Sequence, residues 1–248
     1  METNPIAVAA RGLTKVYGKG EATVLALQGA DVDFGAGHFT AIMGPSGSGK
    51  STLLNLLAGL DAPTAGTVQL GGQEITKMND RGLTLYRRGH VGFVFQAFNL
   101  LPMFTAEQNI RLPLDLAGVK PDLDWWNTVV DTLALRDRLS HLPSEMSGGQ
   151  QQRTALARAA ITRPDVIFAD EPTGNLDTRT GLEVLSFLRR CVRELKQTVV
   201  MVTHDPAAAA YSERVVLLAD GRVAGEILQP TRESVLSALD DLTTVTAA

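Results

Sequence analysis

Apolar and polar positions in the first part of the chain predict several short strands and one helix. Residues 6–16 and 24–34 are extended segments on either side of a turn-prone Gly-Lys-Gly, and apolar residues alternate with aspartates towards residue 34. The apolar run at residues 38–43 is typical of a buried strand. Residues 51–60 then place five leucines on one broad face, which predicts an amphipathic helix.

The middle of the chain has a different character between about residue 97 and residue 160. It follows two β-type segments, at residues 67–75 and 90–95, and it contains four prolines and both tryptophans. Apolar residues recur at helical spacing from Trp126 to Leu133. We therefore expect a helical subdomain inserted between core strands, inside a single domain that covers residues 1–248.

Strands and helices alternate again from residue 165 onward. Residues 166–169 and 198–203 read as strands with a helix between them at Thr178–Leu195, and an Asp-Gly dipeptide at residues 220–221 predicts a hairpin. The tail after Leu242 is small and polar, so we expect it to fray. This alternation predicts an α/β core, and the opening strands predict an antiparallel sheet beside it.

Composition limits the class of protein. The chain has 248 residues, a net charge of −4 and one cysteine, so a broad basic surface for nucleic acid is not expected. Cys191 alone can form neither an internal disulfide nor a zinc cluster, and its apolar neighbours indicate a packed helix residue. The first residues lack the pattern of a secretory signal, and apolar runs of five or six residues are far shorter than the ~20 that span a bilayer. Any function at a membrane would depend on a partner.

A glycine-rich segment between the third strand and the leucine-rich helix has the pattern of a phosphate-binding loop, G-x-x-x-x-G-K-[ST]. Its backbone N–H groups would surround phosphate oxygens at the positive end of the helix. Lys50 would contact the terminal phosphates, and the hydroxyl of Ser51 suits Mg²⁺. The strand-loop-helix context argues against an accidental glycine-rich turn. The predicted nucleotide-binding residues of this loop are Gly44, Pro45, Ser46, Gly47, Ser48, Gly49, Lys50, Ser51 and Thr52.

Two acids follow the apolar strand at residues 166–169. Ligands in open α/β sheets bind beyond the carboxyl ends of the strands, and adjacent acids on an extended chain point in different directions. Asp170 would hold Mg²⁺, directly or through water, and Glu171 would orient and deprotonate the attacking water. Such a pair alone is more often part of a solvated loop. The phosphate loop upstream favours the catalytic interpretation.

The segment Met-Ser-Gly-Gly-Gln at residues 146–150 resembles the signature of ABC transporter ATPases, in which leucine usually takes the first place. Its serine and glutamine also form a helix capping box, which needs no ligand, and the two interpretations are compatible. With this motif the sequence resembles an ABC ATPase over nearly its full length. The resemblance implies that two copies pair head-to-tail around two ATP molecules, each held by the loop of one chain and the signature of the other. The signature residues are Ser147, Gly148, Gly149 and Gln150.

The same resemblance implies a fold and four further site residues. The fold is a P-loop NTPase core with a RecA-like mixed or parallel sheet, an N-terminal antiparallel β-subdomain and an inserted α-helical subdomain. Tyr17 would stack on adenine, and Asp177 would lie in the loop that contacts the second subunit. Gln96 would sense the γ-phosphate and report to the membrane partner, and His204 would contact the γ-phosphate. The predicted catalytic residues are Glu171, His204 and Gln96, and the predicted metal ligands are Ser51, Gln96 and Asp170.

Finer motifs resemble the lipoprotein-release and macrolide-export group (LolD/MacB type) and a related cell-division cassette. They are the acidic segment at residues 170–177, the run ending at Gln96 and the phosphate loop with its following residues. This group implies a mechanical role at the cytoplasmic face of the inner membrane, where ATP-driven closure moves a large extracytoplasmic domain of a permease. We expect the permease contact at residues 103–111, through Met103, Phe104 and Ile110, each of which could equally be a core residue.

Three alternatives stay open from the sequence. One is a regulatory ATPase that controls cell-wall hydrolysis during division, which the chain separates poorly from an exporter. Another is the ATPase of an importer with a separate binding protein. The third is a soluble ABC ATPase acting on DNA or ribosomes, against which the single cassette, the single cysteine and the lack of a heptad insert all argue. The substance moved cannot be read from this chain.

Overall fold

The computed structural model describes the backbone of residues 5–246, and the side chains of these residues except Glu21 and residues 243–246. In this part of the chain the strands are β1 (Ile6–Tyr17), β2 (Val24–Gly35), β3 (Phe39–Met43), β4 (Ala65–Leu70), β5 (Gln73–Glu74), β6 (Val91–Val94), β7 (Val166–Asp170), β8 (Thr198–Val202), β9 (Arg214–Ala219) and β10 (Arg222–Leu228). The α-helices are α1 (Lys50–Leu57), α2 (Asp80–His90), α3 (Ala106–Ala117), α4 (Leu123–Thr132), α5 (Gly148–Ala160), α6 (Thr178–Leu195), α7 (Pro206–Ala209) and α8 (Arg232–Thr246).

A six-stranded sheet in the order β10-β9-β3-β8-β7-β6 forms the core. Five neighbouring strands of this sheet run parallel, namely β9, β3, β8, β7 and β6. The sixth strand, β10, is antiparallel and pairs with β9 through the predicted hairpin. The carboxyl ends of β3, β6, β7 and β8 therefore meet at one edge. That edge carries the phosphate loop and the two acids, as a mixed sheet of this kind predicts.

A second, antiparallel sheet of four strands has the order β2-β1-β4-β5. The long strands β1 and β2 pair from Ile6 opposite Gly35 to Tyr17 opposite Val24, with several register shifts. The strand β4 pairs on the other side of β1. The opening strands of the sequence thus form the antiparallel sheet that their alternation predicted.

Alternate side chains of the parallel strands enter two different hydrophobic clusters. In β7, Val166 and Phe168 pack with the leucines of α1 and with the antiparallel sheet, whereas Ile167 and Ala169 pack with the helices that include α5 and α6. Both faces of the central sheet are therefore covered, and burial of a side chain such as Phe168 contributes about 1.5–3 kcal/mol. The site edge is built on this doubly packed layer.

The helices α3, α4 and α5 come between β6 and β7, in the stretch where the sequence predicts helices. Capping boxes begin two of them, at Thr105 for α3 and at Ser147 for α5, and the side chain of Asp122 caps α4. Leu133, which follows α4, is buried with Val129 and Val130 as their spacing predicts. Among the described residues, none of the helices has the length and apolar character needed to cross a bilayer.

Several elements differ from the sequence-based expectations. The helix α1 ends at Leu57 rather than residue 60, because Gly59 has a left-handed φ of 64°. The helix α2 and the helix α8 were not predicted. The helix α8 continues past Leu242 to Thr246, and the fraying expected for this tail stays a prediction. Ala247 and Ala248 lie outside the described residues, as do residues 1–4, on which the signal-peptide argument rests.

Candidate active site

The phosphate loop connects the carboxyl end of β3 to α1. Gly44 has a φ of 151°, and a methyl group there would clash with the carbonyl oxygen of Leu218 in β9, so only glycine fits. The Nζ atom of Lys50 donates to the carbonyl oxygens of Gly44 at 3.0 Å and Pro45 at 2.7 Å. Burial lowers the pKa of Lys50, although Glu171 and Asp170 raise it in part. A half-buried lysine bonded only to uncharged carbonyls is well placed to exchange them for an anion.

A second sign of a ligand lies in the same loop. The hydroxyl of Ser48 is buried and has no hydrogen-bond partner among the described residues. Buried polar groups are normally paired, and each exception needs an explanation such as an ion or ligand. The N–H groups at the start of α1 are close by in sequence, which makes this end of the helix an anion-binding environment.

Ser51 and Asp170 meet beside the loop. The hydroxyl of Ser51 donates to Asp170 Oδ1 at 3.3 Å. Burial raises the pKa of Asp170, and the nearby negative charge of Glu171 acts in the same direction. A hydroxyl and a carboxylate are the hard oxygen ligands that Mg²⁺ accepts, and magnesium at phosphates needs only one or two protein ligands. These two residues therefore fit a magnesium ion that also contacts phosphate oxygens.

Glu171 follows Asp170 and pairs with a different residue. Its φ of 49° is left-handed, which is uncommon outside glycine, and its N–H donates to the carbonyl oxygen of Val202 at 3.0 Å. Its Oε2 lies 2.6 Å from Nδ1 of His204, which follows β8. The imidazole is 72% exposed and the carboxylate 20%. The pair therefore stands at the open mouth of the site, with the acid inside and the histidine towards solvent.

Tyr17, at the end of β1, is held by two charged residues. Its hydroxyl donates to Asp61 Oδ2 at 2.8 Å, and Lys15 Nζ lies 4.8 Å from the centre of its ring. Lys15 in turn donates to Asp61 Oδ1 at 2.7 Å. Burial opposes ionisation of Asp61, but the hydrogen bonds from Lys15, Tyr17 and Ala62 together lower its pKa. The ring is thus fixed in one orientation and 40% exposed, which suits stacking.

The signature segment begins α5 with the capping box that the sequence predicts. Ser147 N–H donates to Gln150 Oε1 at 2.9 Å, and Gln150 N–H donates to Ser147 Oγ at 3.3 Å. A methyl group at Gly149 would clash with Cγ2 of Thr180, so glycine allows the start of α5 to approach the start of α6. The hydrogen bonds described for Ser147 and Gln150 stay within α5 and its cap. Within one chain the signature is therefore not joined to the phosphate loop.

Gln96 and Asp177 lie in the loops around the acids. Gln96 accepts a hydrogen bond at its carbonyl oxygen from Asn175 Nδ2 at 3.0 Å, and its Nε2 lies close to Gly174. None of its described hydrogen bonds reaches Ser51 or Asp170, so its part in metal binding stays a prediction. Asp177 caps α6, and its hydrogen bonds from Thr180 lower its pKa. The sequence did not predict that Asp177 caps α6.

Burial decides between the two interpretations for one of the residues suggested for the permease contact. Ile110 is fully buried in the core of the helical segment, so it cannot contact a partner, while Met103 is 74% exposed. Instead, a groove of about 480 Å³ lies between α2, β6 and α3, lined by residues that include Phe95 and Leu116. Sequence reasoning missed this groove because its walls come from separate elements.

Sequence reasoning also missed Lys15, Asp61 and Gln152. Lys15 carried a usable signal, because residues two apart on a strand face the same side and Tyr17 was already selected. No sequence pattern marked Asp61 or Gln152, because each contacts its partner only once the chain has folded.

Comparisons with known proteins agree with this geometry. The model of the family described as "ABC transporter" matches residues 27–174. The chain is 44% identical over 216 residues to the lipoprotein-releasing system ATP-binding protein LolD of Geobacter metallireducens, covering 86% of this chain and 96% of that protein. It is 46% identical over 218 residues to the macrolide export ATP-binding/permease protein MacB of Rhodopseudomonas palustris, covering 87% of this chain but only 33% of MacB.

Solved structures give the same result. The dimeric structure of a post-hydrolysis state of the ATP-binding cassette MJ0796 bound to ADP and Pi is similar with a TM-score of 0.81 and 40% identity, over 90% of this chain and 99% of that one. The predicted P-loop NTPase fold class is confirmed. The chain belongs to the ABC transporter family and is an ATPase of the type represented by LolD and the ATP-binding part of MacB.

Proposed function

We propose that the chain is the energy-coupling subunit of a LolD/MacB-type assembly at the cytoplasmic face of the inner membrane. ATP draws two copies together, hydrolysis releases them, and a separate membrane permease with a large extracytoplasmic domain converts the movement into export or mechanical work. The observation that carries the catalytic half is the 2.6 Å contact between Glu171 and His204 beside the paired Ser51 and Asp170. The proposed coupling to a membrane permease is supported by the likeness to LolD and MacB.

The first step is binding of the triphosphate. Lys50 exchanges the carbonyl oxygens of Gly44 and Pro45 for β- and γ-phosphate oxygens, and the N–H groups of residues 47–52 surround the phosphates. The adenine stacks on the ring of Tyr17, which Lys15 and Asp61 hold in place. Ser51 and Asp170 would hold Mg²⁺, which would neutralise charge on the phosphate oxygens.

The second step is hydrolysis. Glu171 accepts a proton from the attacking water, and the water oxygen forms a bond to the γ-phosphorus while the bond to the ADP oxygen breaks. His204 keeps the carboxylate oriented through their shared hydrogen bond and donates to a γ-phosphate oxygen, where charge increases. Gln96 senses this phosphate from the loop between β6 and α3. The products are ADP and phosphate.

The site is completed by a second copy. The signature of Ser147, Gly148, Gly149 and Gln150 is not joined to the phosphate loop of its own chain, yet it offers the N–H groups and the positive end of α5, which attract a γ-phosphate. A head-to-tail pair supplies that phosphate from the neighbouring chain, and Asp177 lies at the contact. The dimeric state of the similar cassette MJ0796 supports this arrangement.

The permease binds in the groove between α2, β6 and α3. The apolar side chains of Phe95, Leu112 and Leu116 line it, with Arg87, Arg88 and Arg158 beside them. None of these arginines forms an ion pair within the described residues, so the groove favours a partner segment with an apolar face and acidic groups.

A permease that controls cell-wall hydrolysis would use the same groove, so that role remains the alternative. Arg158 also donates to the carbonyl oxygens of Asn99 and Phe98, which connects the groove to the loop that follows Gln96.

Two substitutions test the catalytic assignment. Glu171→Gln removes the base but keeps the shape of the side chain, so turnover should fall about 10²-fold or more while ATP binding and pairing persist. Lys50→Ala should abolish tight ATP binding in calorimetry. Near-normal turnover of the first variant would reject Glu171 as the base, and tight ATP binding by the second would reject the phosphate-loop assignment.

A further inference from the structure

Gln152 is a buried amide that the catalytic scheme does not use. It lies on α5, two residues past Gln150, and its side chain is fully buried. Its Nε2 donates to the carbonyl oxygen of Pro172 at 2.6 Å. Its Oε1 is also buried and has no hydrogen-bond partner among the described residues.

The unpaired oxygen shows that packing alone does not explain this residue. A buried acceptor without a partner is destabilising, and methionine would fill a similar volume without any polar atom. Among the residues that the structure describes, the one favourable polar contact of the amide is its donation to Pro172. The role of Gln152 therefore depends on that one hydrogen bond.

Pro172 directly follows Glu171. The loop that begins there is closed by local bonds, from Gly174 N–H to the carbonyl oxygen of Glu171 and from Leu176 N–H to that of Thr173. Glu171 itself has the strained left-handed φ of 49°, and a strained residue keeps its geometry only when its surroundings hold it. Val202 holds the N–H of Glu171 on one side. The bond from Gln152 holds the carbonyl group of Pro172, the next residue, on the other.

We propose that Gln152 is a positioning residue for Glu171. It fixes the carbonyl group of Pro172, and with it the backbone that follows the base, so that the carboxylate faces the attacking water, and it ties this segment to the helix that begins with the signature. This rests on the proposed role of Glu171. Because the signature of one chain serves the ATP of its neighbour, the same bond connects the neighbour's site to the base of this chain. Closure at one site then orients the base at the other.

The first test compares Gln152→Met with a matched control in the full-length ATPase. Methionine keeps the volume but donates no hydrogen bond, so kcat should fall about tenfold while KM for ATP stays within about twofold, as misplacement of a catalytic group predicts. Thr154→Val removes another buried side-chain hydrogen bond of α5, one that stays inside the helix. It should leave kcat unchanged. Equal kcat in Gln152→Met and wild type would overturn the proposal.

The second test is a pH profile of Gln152→Glu. Burial raises the pKa of a carboxyl group at this position, and its protonated form can donate to Pro172 as the amide does. As pH rises through that raised pKa, the ionised group repels the carbonyl oxygen. The ratio of variant to wild-type kcat should therefore be near one at low pH and fall as pH rises. A ratio independent of pH contradicts the proposal, even if the methionine variant is too unstable to measure.

Failure of this inference is distinguishable from failure of the catalytic scheme. If Glu171→Gln abolishes turnover while Gln152→Met matches wild type, only the positioning role is wrong. If Glu171→Gln turns over normally, the base has been misassigned, and the positioning role is wrong with it.

Discussion

At the scale of single residues, the site consists of side chains that are held in place before any ligand arrives. Tyr17 illustrates this best, because Asp61 fixes its hydroxyl and Lys15 covers one face of its ring. Lys15 and Asp61 are themselves joined at 2.7 Å, with only 12% and 34% of their side chains exposed. An aromatic ring that does not need to be ordered on binding contributes more of its stacking energy to affinity.

Removing the support of the ring should weaken ATP binding without changing the chemistry. Tyr17→Ala should raise KM for ATP by about tenfold or more, since stacking of a base on an aromatic side chain contributes about 1–3 kcal/mol. Asp61→Ala, which leaves the ring but frees it, should raise KM by a smaller factor with kcat unchanged. Asp33→Ala, which breaks the exposed ion pair with Arg11, is the control. A normal KM in Asp61→Ala would show that the ring needs no anchor.

The site residues that the sequence could predict are those that lie in short continuous motifs. The phosphate loop and the two acids are recognisable because each motif is continuous and lies between a strand and a helix. Asp61 and Gln152 are different, because each is an ordinary polar residue until the fold brings it to Tyr17 or Pro172. Their partners are set by how β1 lies against the turn after α1 and how α5 packs on the loop after β7, which no local pattern records.

At the scale of elements, α5 connects the separate loops of the site. Its first turn contacts α6 through Gly149 and Thr180, its middle bonds to the loop after Glu171 through Gln152, and its end bonds to Phe98 through Arg158. A helix with three such contacts moves as one body, since packed elements shift between discrete arrangements rather than deform. On the proposed scheme, contact at its signature end would therefore be transmitted to the base and to the loop beyond Gln96.

Ser147→Arg tests whether the signature end of α5 acts on a neighbouring chain. The arginine removes the cap, which costs about 1 kcal/mol, and places a bulky cation where the partner's phosphate should lie. ATP binding by single chains should persist, and hydrolysis by the pair should be lost. Thr105→Arg removes the equivalent capping box of α3 and should retain hydrolysis. If Ser147→Arg hydrolyses ATP as fast as this control, the shared site is wrong.

The longest described helix was predicted from its apolar face, whereas the short helix α2 was missed. The helix Thr178–Leu195 was placed at its observed bounds because seven buried residues recur along it, from Gly181 to Val192. The helix α2 escaped notice because none of its residues is buried. It is held by half-buried Leu83 and Tyr86, which pack against the core, by its Asn79 cap, and by hydrogen bonds such as that from Tyr86 to the carbonyl oxygen of Leu70. Tertiary contacts of this kind leave no periodic trace in a sequence.

At the scale of the whole molecule, the proposed ATP site and the groove proposed for the permease lie at different parts of the parallel sheet. The phosphate loop, the acids and His204 lie at the carboxyl edge of the strands, whereas the groove lies beyond the edge strand β6, towards α2 and α3. Arg158 bridges the two regions, with one nitrogen on Asn99 and another on Phe98. On the proposed scheme, binding in the groove and the presence of γ-phosphate near Gln96 would therefore affect the same short segment.

Leu116→Asp should uncouple the ATPase from its permease while leaving the ATPase itself intact. Leu116 is 62% exposed and lines the groove, so an aspartate there removes apolar contact area and repels an acidic partner segment without disturbing the core. Intrinsic ATP hydrolysis should equal that of wild type, and co-purification with the permease should be lost. Leu123→Asp, on an equally exposed leucine of the same helical segment that does not line the groove, should retain the permease. If Leu116→Asp still co-purifies with the permease and Met103→Asp does not, the contact lies instead on residues 103–111, where the sequence first suggested it. Met103 is the right position for this test because it alone among the residues proposed there is widely exposed.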